Sequence, residues 1–149
     1  MTITPAQSIA NRKTIYAFWL GAFNLPSAAA GLTAQALGES SYDPAAIGDH
    51  GTAYSLQQWH GVRAAAIKAG CGIDVTKLPP LADALKAALW ELRNPEKGAL
   101  AHILSAKTAY DAGYAACRYW ERPAATADYA KRGNLAEEIA VYFSKNPVA

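Results

Sequence analysis

The sequence predicts a mainly α domain of about seven helices, with one short irregular or small β-hairpin segment after the second helix. Three observations lead there. Apolar residues recur at helical spacing along most of the chain. Pro and hydroxyl residues sit where helices begin, and Gly or Pro where they stop. The one long stretch without helical spacing, Ser41 to His60, is rich in Gly, Asp and Pro and short in strand formers.

Length and composition narrow the rest. The chain has 149 residues, of which 52% are apolar and 17% charged. That length is expected to form a single domain over residues 1–149, long enough to bury a core without staples. Lys and Arg number 14 against 12 Asp and Glu, for a net charge of +2. The surplus is small, and no basic run of the kind that grips nucleic acid is present. Cys71 and Cys117 occur without a CxxC motif or a Cys/His cluster, so no metal and no cofactor is expected. Both cysteines are read as buried free thiols.

The elements follow in order. Thr4-Pro5 opens the first helix, which should run to about Ala22. Ile9, Tyr16, Leu20 and Phe23 form its apolar face, with Trp19 beside it. Ser27 should cap an Ala-rich second helix that ends near Gly38-Glu39. Arg12-Lys13, an apolar run to Phe23, and Ala28-Ala29-Ala30 have the outline of a cleaved leader. Gly21 and Asn24 interrupt that outline, so the segment is read as two helices. The run is also too short to span a membrane, which takes about 20 apolar residues. Beyond Trp59, "GVRAAAIKAG" should be a helix stopped by Gly70. "LADALKAALWELR" follows Pro80, and Asn94-Pro95 starts the next helix. A further helix runs from Thr108 to a stop at Pro123. The last covers "TADYAKRGNLAEEIAVYFSK", where Gly133 is a point of interruption.

The irregular segment carries the candidate chemistry, because long irregular stretches in compact domains are usually functional. Glu39 closes an apolar helix. The negative end of the helix dipole and apolar neighbours should both raise its pKa. A carboxyl that stays protonated suits cleavage of a glycosidic bond, whose leaving oxygen must receive a proton. Asp49, in "GDHG", should stay ionised in its polar loop and serve as the second carboxylate. Tyr54 and Trp59 offer flat faces for sugar rings. Thr52, Gln57, Gln58 and His60 offer hydrogen bonds. Glu91 and Glu121 are the other acidic candidates. Glu91 is expected to cap or brace a helix, and Glu121 to pair with Arg122 or another arginine.

"GESSYDPAAIGDHGTAYSLQQWHGVRAA" resembles the phage tail lysozyme family of the lysozyme-like superfamily. It is more distantly similar to goose-type lysozymes and soluble lytic transglycosylases. The likeness rests on Glu39-Ser40, Asp43-Pro44, Ala46, Gly48-Asp49, Gly51-Thr52-Ala53 and Gln58-Trp59. It extends to "KTIYAFWLGAFNLPSAAAGLTAQALGES", to "ALWELRNPEKGALAHI" and to the Tyr119–Pro123 step. The resemblance implies a lysozyme-like fold and a muramidase that cleaves the β-1,4 bond between N-acetylmuramic acid and N-acetylglucosamine of bacterial peptidoglycan. Glu39 takes the family's acid position. Relatives commonly carry Gly where this chain has Ser55. Some superfamily members lack a second carboxylate and act as lytic transglycosylases, forming anhydro-muramyl ends; a non-catalytic module that binds peptidoglycan or a tail baseplate is the other alternative. The implied partner is peptidoglycan, with a phage tail or baseplate as a second, and no nucleic acid or membrane insertion. A monomer is expected, made in the bacterial cytoplasm without a signal peptide and acting on the periplasmic wall. The single domain looks more like a free lysin than a tail component.

Overall fold

A computed structural model describes residues 3–123 and 125–148. The described residues include seven α-helices, one two-stranded sheet, two 3₁₀ turns and a π-helical segment. Helix α1 (Pro5–Phe23) starts with a full capping box. The Thr4 side chain accepts from the Gln7 N–H, and the Gln7 side chain accepts from the Thr4 N–H. Its buried face is Ile15, Tyr16 and Trp19, whereas Ile9 is 58% exposed. The expected stripe therefore starts too early, because the first turns of α1 overhang the core.

Helix α2 (Pro26–Ser40) is the centre of the molecule, packed against α1, α6 and α7. Every residue from Ala28 to Ala36 is buried. A helix buried all round has no polar face, so its sequence is Ala-rich rather than striped. Small side chains let neighbours come close: a methyl group added at Gly31 would lie 2.7 Å from the Ala112 backbone. Ser27 does not cap α2; Leu25 holds the cap position and Pro26 the first turn. Ser41, in the left-handed region at φ 54°, ends the helix, and its N–H donates to the Leu37 carbonyl.

After α2 the chain forms the small antiparallel sheet of β1 (Ile47–Gly48) and β2 (Ala53–Tyr54), joined by a 3₁₀ turn at Asp49–Gly51. Helix α3 (Gly61–Cys71) runs one residue past Gly70 and is closed by Gly72 at φ 80°. Gly70 instead lies against the Trp90 ring, where a side chain would collide. Helix α4 (Leu81–Arg93) follows Pro80. Asn94 closes α4 by donating from Nδ2 to the Trp90 carbonyl at 2.8 Å, rather than capping α5 (Lys97–Ser105). Thr108 caps α6 (Ala109–Ala115), whose chain continues as a π-helical segment, Ala116–Glu121. Helix α7 (Ala127–Lys145) passes through Gly133 unbroken, because that glycine gives Tyr110 room to pack. Both cysteines are free, Cys117 buried and Cys71 partly so. No helix among the described residues is long and apolar enough to cross a membrane.

Candidate active site

Glu39 lies in the last turn of α2, half-buried. Four residues earlier, on the same helix face, Gln35 is 2% exposed. Its Nε2 donates to Glu39 Oε1 and to Glu121 Oε2, both at 3.1 Å. One amide nitrogen thus bridges the two carboxyl groups and holds them side by side. Two carboxylates held this close repel each other, which favours a proton on one of them.

The π-helical segment positions Glu121. Its wider turn is closed by the Arg122 N–H donating to the Cys117 carbonyl at 2.8 Å. Arg132, from α7, donates from Nη2 to Glu121 Oε2 at 3.1 Å and from Nη1 to the Gln35 carbonyl at 3.1 Å. The guanidinium lies over Gly38, where any side chain would displace it. The Cys117 thiol is 3.4 Å from Glu121 Oε2. Burial, and then the negative charge of Glu121, push that thiol up to about 12, so it remains an S–H donor at neutral pH.

These surroundings raise the Glu39 pKa to about 8. Burial is the largest cause, followed by the hydrogen bond to Glu121 and its like charge. Arg132 and Arg63 oppose the rise but do not cancel it. At neutral pH Glu39 is therefore mostly a carboxylic acid, as its place at an apolar helix end led us to expect. The neighbouring Glu121 was not expected here. It pairs with Arg132, while Arg122 pairs with Glu96 at 2.8 Å. Glu121 thus makes the arginine pair expected of it, and the fold adds a place beside Glu39.

The hairpin residues divide. Asp49 sits at the exposed tip with φ 48°, its Oδ2 2.9 Å from His60 Nε2. Tyr54 is partly exposed in β2. Thr52 is exposed and donates its hydroxyl to the Asp49 carbonyl at 2.7 Å. Gln58 spends its Nε2 on the carbonyls of Ala46, at 3.1 Å, and Ser55, at 2.8 Å. It braces the hairpin instead of facing outward. Gln57 is buried as well. Trp59 is 0% exposed and donates from Nε1 to Glu91 Oε1 at 3.0 Å. As a face for a sugar ring, Trp59 is thus corrected: its ring fills the core under the hairpin.

Glu91 completes that core. Its carboxylate is 2% exposed and accepts from Trp59, from Trp120 Nε1 at 2.7 Å and from two Arg63 nitrogens at 2.8 and 2.6 Å. The expectation that it braces the fold holds, on a larger scale than one helix.

A hollow of about 490 Å³ lies between the start of α1 and the Ser40–Ile47 stretch. It begins at the residue after Glu39, and neither Glu39 nor Glu121 lines it. No group of three or more His, Cys, Asp or Glu side chains among the described residues could hold a metal ion.

Comparison with known proteins supplies the last observation. Searches of curated proteins and of solved structures each gave no significant match. The family model described as phage tail lysozyme matches residues 10–143. That span takes in α2 with Glu39, the hairpin, the Glu91 knot and the π-helical segment with Glu121. This chain belongs to the phage tail lysozyme family.

Proposed function

We propose that the protein is a muramidase with Glu39 as its general acid. The family carries a lysozyme-like action on peptidoglycan. The observation that supports the finer reading is the Glu39 carboxyl, half-buried and raised to about 8 at the mouth of the hairpin segment. Such a group holds its proton at neutral pH and can pass it to the glycosidic oxygen as the C1–O bond breaks. The sugar keeps the positive charge, and water adds at C1 to give a reducing N-acetylmuramic acid end.

The water's proton needs an acceptor. Glu121 is unsuited to the second carboxylate's role. Hydrolases that retain configuration place the second carboxyl about 5–5.5 Å from the acid, and those that invert about 6.5–9.5 Å, leaving room for sugar or water between. Glu121 Oε2 is instead taken up by Gln35, Arg132 and Cys117, which leaves it poorly placed to accept a proton from water. Asp49, exposed on the hairpin and oriented by His60, is the residue we assign as base. Tyr54, Thr52 and His60 are the hairpin side chains open to a glycan.

Purified sacculi test this directly. Wild type should clear a turbid suspension and release muropeptides with reducing ends, read by mass spectrometry. Glu39→Gln should lose about 10²–10⁴-fold in rate, and equal rates in the two proteins would sink the assignment. Anhydro-muramyl ends, lighter by one water, would mark a lytic transglycosylase, and Asp49→Asn would then keep its activity. Sacculus binding with nothing released would mark a binding module.

A further inference from the structure

The pairing of Glu39 with Glu121 has more built into it than an acid needs. Glu121 Oε2 alone gathers three donors, from Gln35, Arg132 and Cys117. They come from α2, α7 and the π-helical segment, so three elements converge to hold one side chain. Arg132 is only 8% exposed and is anchored a second time on the Gln35 carbonyl. A buried guanidinium fixed at both ends is a costly way to make an ordinary surface ion pair. It is an effective way to keep a negative charge at one point.

We propose that Glu121 is a positioning residue for the acid: its Arg132-anchored carboxylate accepts the hydrogen bond of the Glu39 carboxyl and so holds the proton on Glu39 between turnovers. This rests on Glu39 being the acid. When Glu39 gives its proton away, two carboxylates are left in contact in a partly dry site. Their repulsion favours rapid recapture of a proton by Glu39. Gln35 spans both carboxyls from one nitrogen and keeps them in register.

The charged and titratable groups facing the pair are few. Arg132 faces it from α7, Arg63 from α3 and Cys117 from the π-helical segment, with the Asp128 carboxylate of α7 acting on the thiol. Gln35 is the uncharged contact from α2. Of the two cations, Arg132 is the one bonded to Glu121, whereas Arg63 is committed to Glu91. Removing the Glu121 charge therefore frees Arg132 to attract a proton-free Glu39, and both changes act in the same direction.

The test is the pH profile of kcat/KM on sacculi for wild type and Glu121→Gln. The alkaline limb of the variant should move down by about one pH unit or more. A variant that is slower at every pH with its limb unmoved would show a merely structural role and overturn the proposal. Glu121→Asp, which keeps the charge, should restore part of the shift. A second measurement needs no substitution. At pH 7, transfer of ¹³C-glutamate-labelled wild type from H₂O to D₂O should shift the carboxyl carbons of both Glu39 and Glu121, because they share one proton. A shift on Glu39 alone would refute the shared proton even if Glu121→Gln does not fold. Loss of activity in Glu39→Gln with an unmoved limb in Glu121→Gln would defeat this inference and leave the acid assignment standing. Full activity in Glu39→Gln would defeat the assignment itself.

Discussion

Two glutamates in this protein are taken out of water and put to opposite uses. Glu91 receives N–H donors from Trp59, Trp120 and twice from Arg63, so both carboxylate oxygens are satisfied. Glu39 receives one N–H, from Gln35, and has a second carboxyl for a neighbour. The donor count decides the outcome. A buried carboxylate surrounded by donors and a guanidinium is a tie between elements, here joining the hairpin, α3, α4 and the π-helical segment. A buried carboxyl short of donors and next to a like charge keeps its proton. One arrangement holds the fold still, and the other makes an acid.

The comparison can be broken from either side. Glu39→Gln should cost about 10²–10⁴-fold in sacculus clearing without loss of folding, checked by circular dichroism alongside the rate. Glu91→Ala should do the reverse. It leaves two indole N–H groups and a guanidinium without their acceptor, and should lower unfolding free energy by about 3–5 kcal/mol in urea titration. A smaller loss than that of an ordinary surface variant would show the knot to be dispensable.

A pH series sharpens the difference. The pKa of Glu39 rises from about 4.5 when unfolded to about 8 when folded. Between those values the native state binds more protons than the unfolded chain, so this residue's contribution is present at low pH and lost as pH rises toward 8. The stability of Glu39→Gln relative to wild type should therefore grow from pH 5 to pH 8, measured as the difference in Tm. A flat difference would mean that the Glu39 site is not desolvated.

Smaller effects belong to the hairpin. Ser55 sits at φ 67° with its hydroxyl buried and unpartnered. Ser55→Gly should stabilise by about 1 kcal/mol, since glycine accepts that backbone without strain and removes an unsatisfied hydroxyl. Finally, the Asp49–His60 pair is largely exposed on both sides. His60→Ala should change stability by less than about 0.5 kcal/mol. A larger loss would move that pair into the class of Glu91.

Much of the fold was legible because helix ends are local. Thr4, Thr108 and the proline starts at Pro5 and Pro80 act within one turn of where they stand. Ile9 and Asn94 misled for the converse reason: which turn meets the core, and which helix an amide closes, depends on neighbours elsewhere in the chain. The raised pKa of Glu39 was legible because its cue is also local, a carboxyl ending an apolar helix. Trp59 was misplaced because an aromatic ring in a loop looks the same whether it faces a ligand or fills a core.

The sequence by itself determined the α-helical class, the Ala-rich second helix, the irregular segment that follows it and the carboxyl at their junction. These rest on spacing, caps and residue chemistry within a few positions of each other. Only the tertiary structure decided which carboxyls became partners. Glu121 reaches Glu39 because a π-helical turn and a buried Arg132 bring it there, and Glu91 collects Trp59, Arg63 and Trp120 from three separate elements. The protonation of a buried group depends on the donors and charges within a few ångströms of it, and those come from residues far apart along the chain.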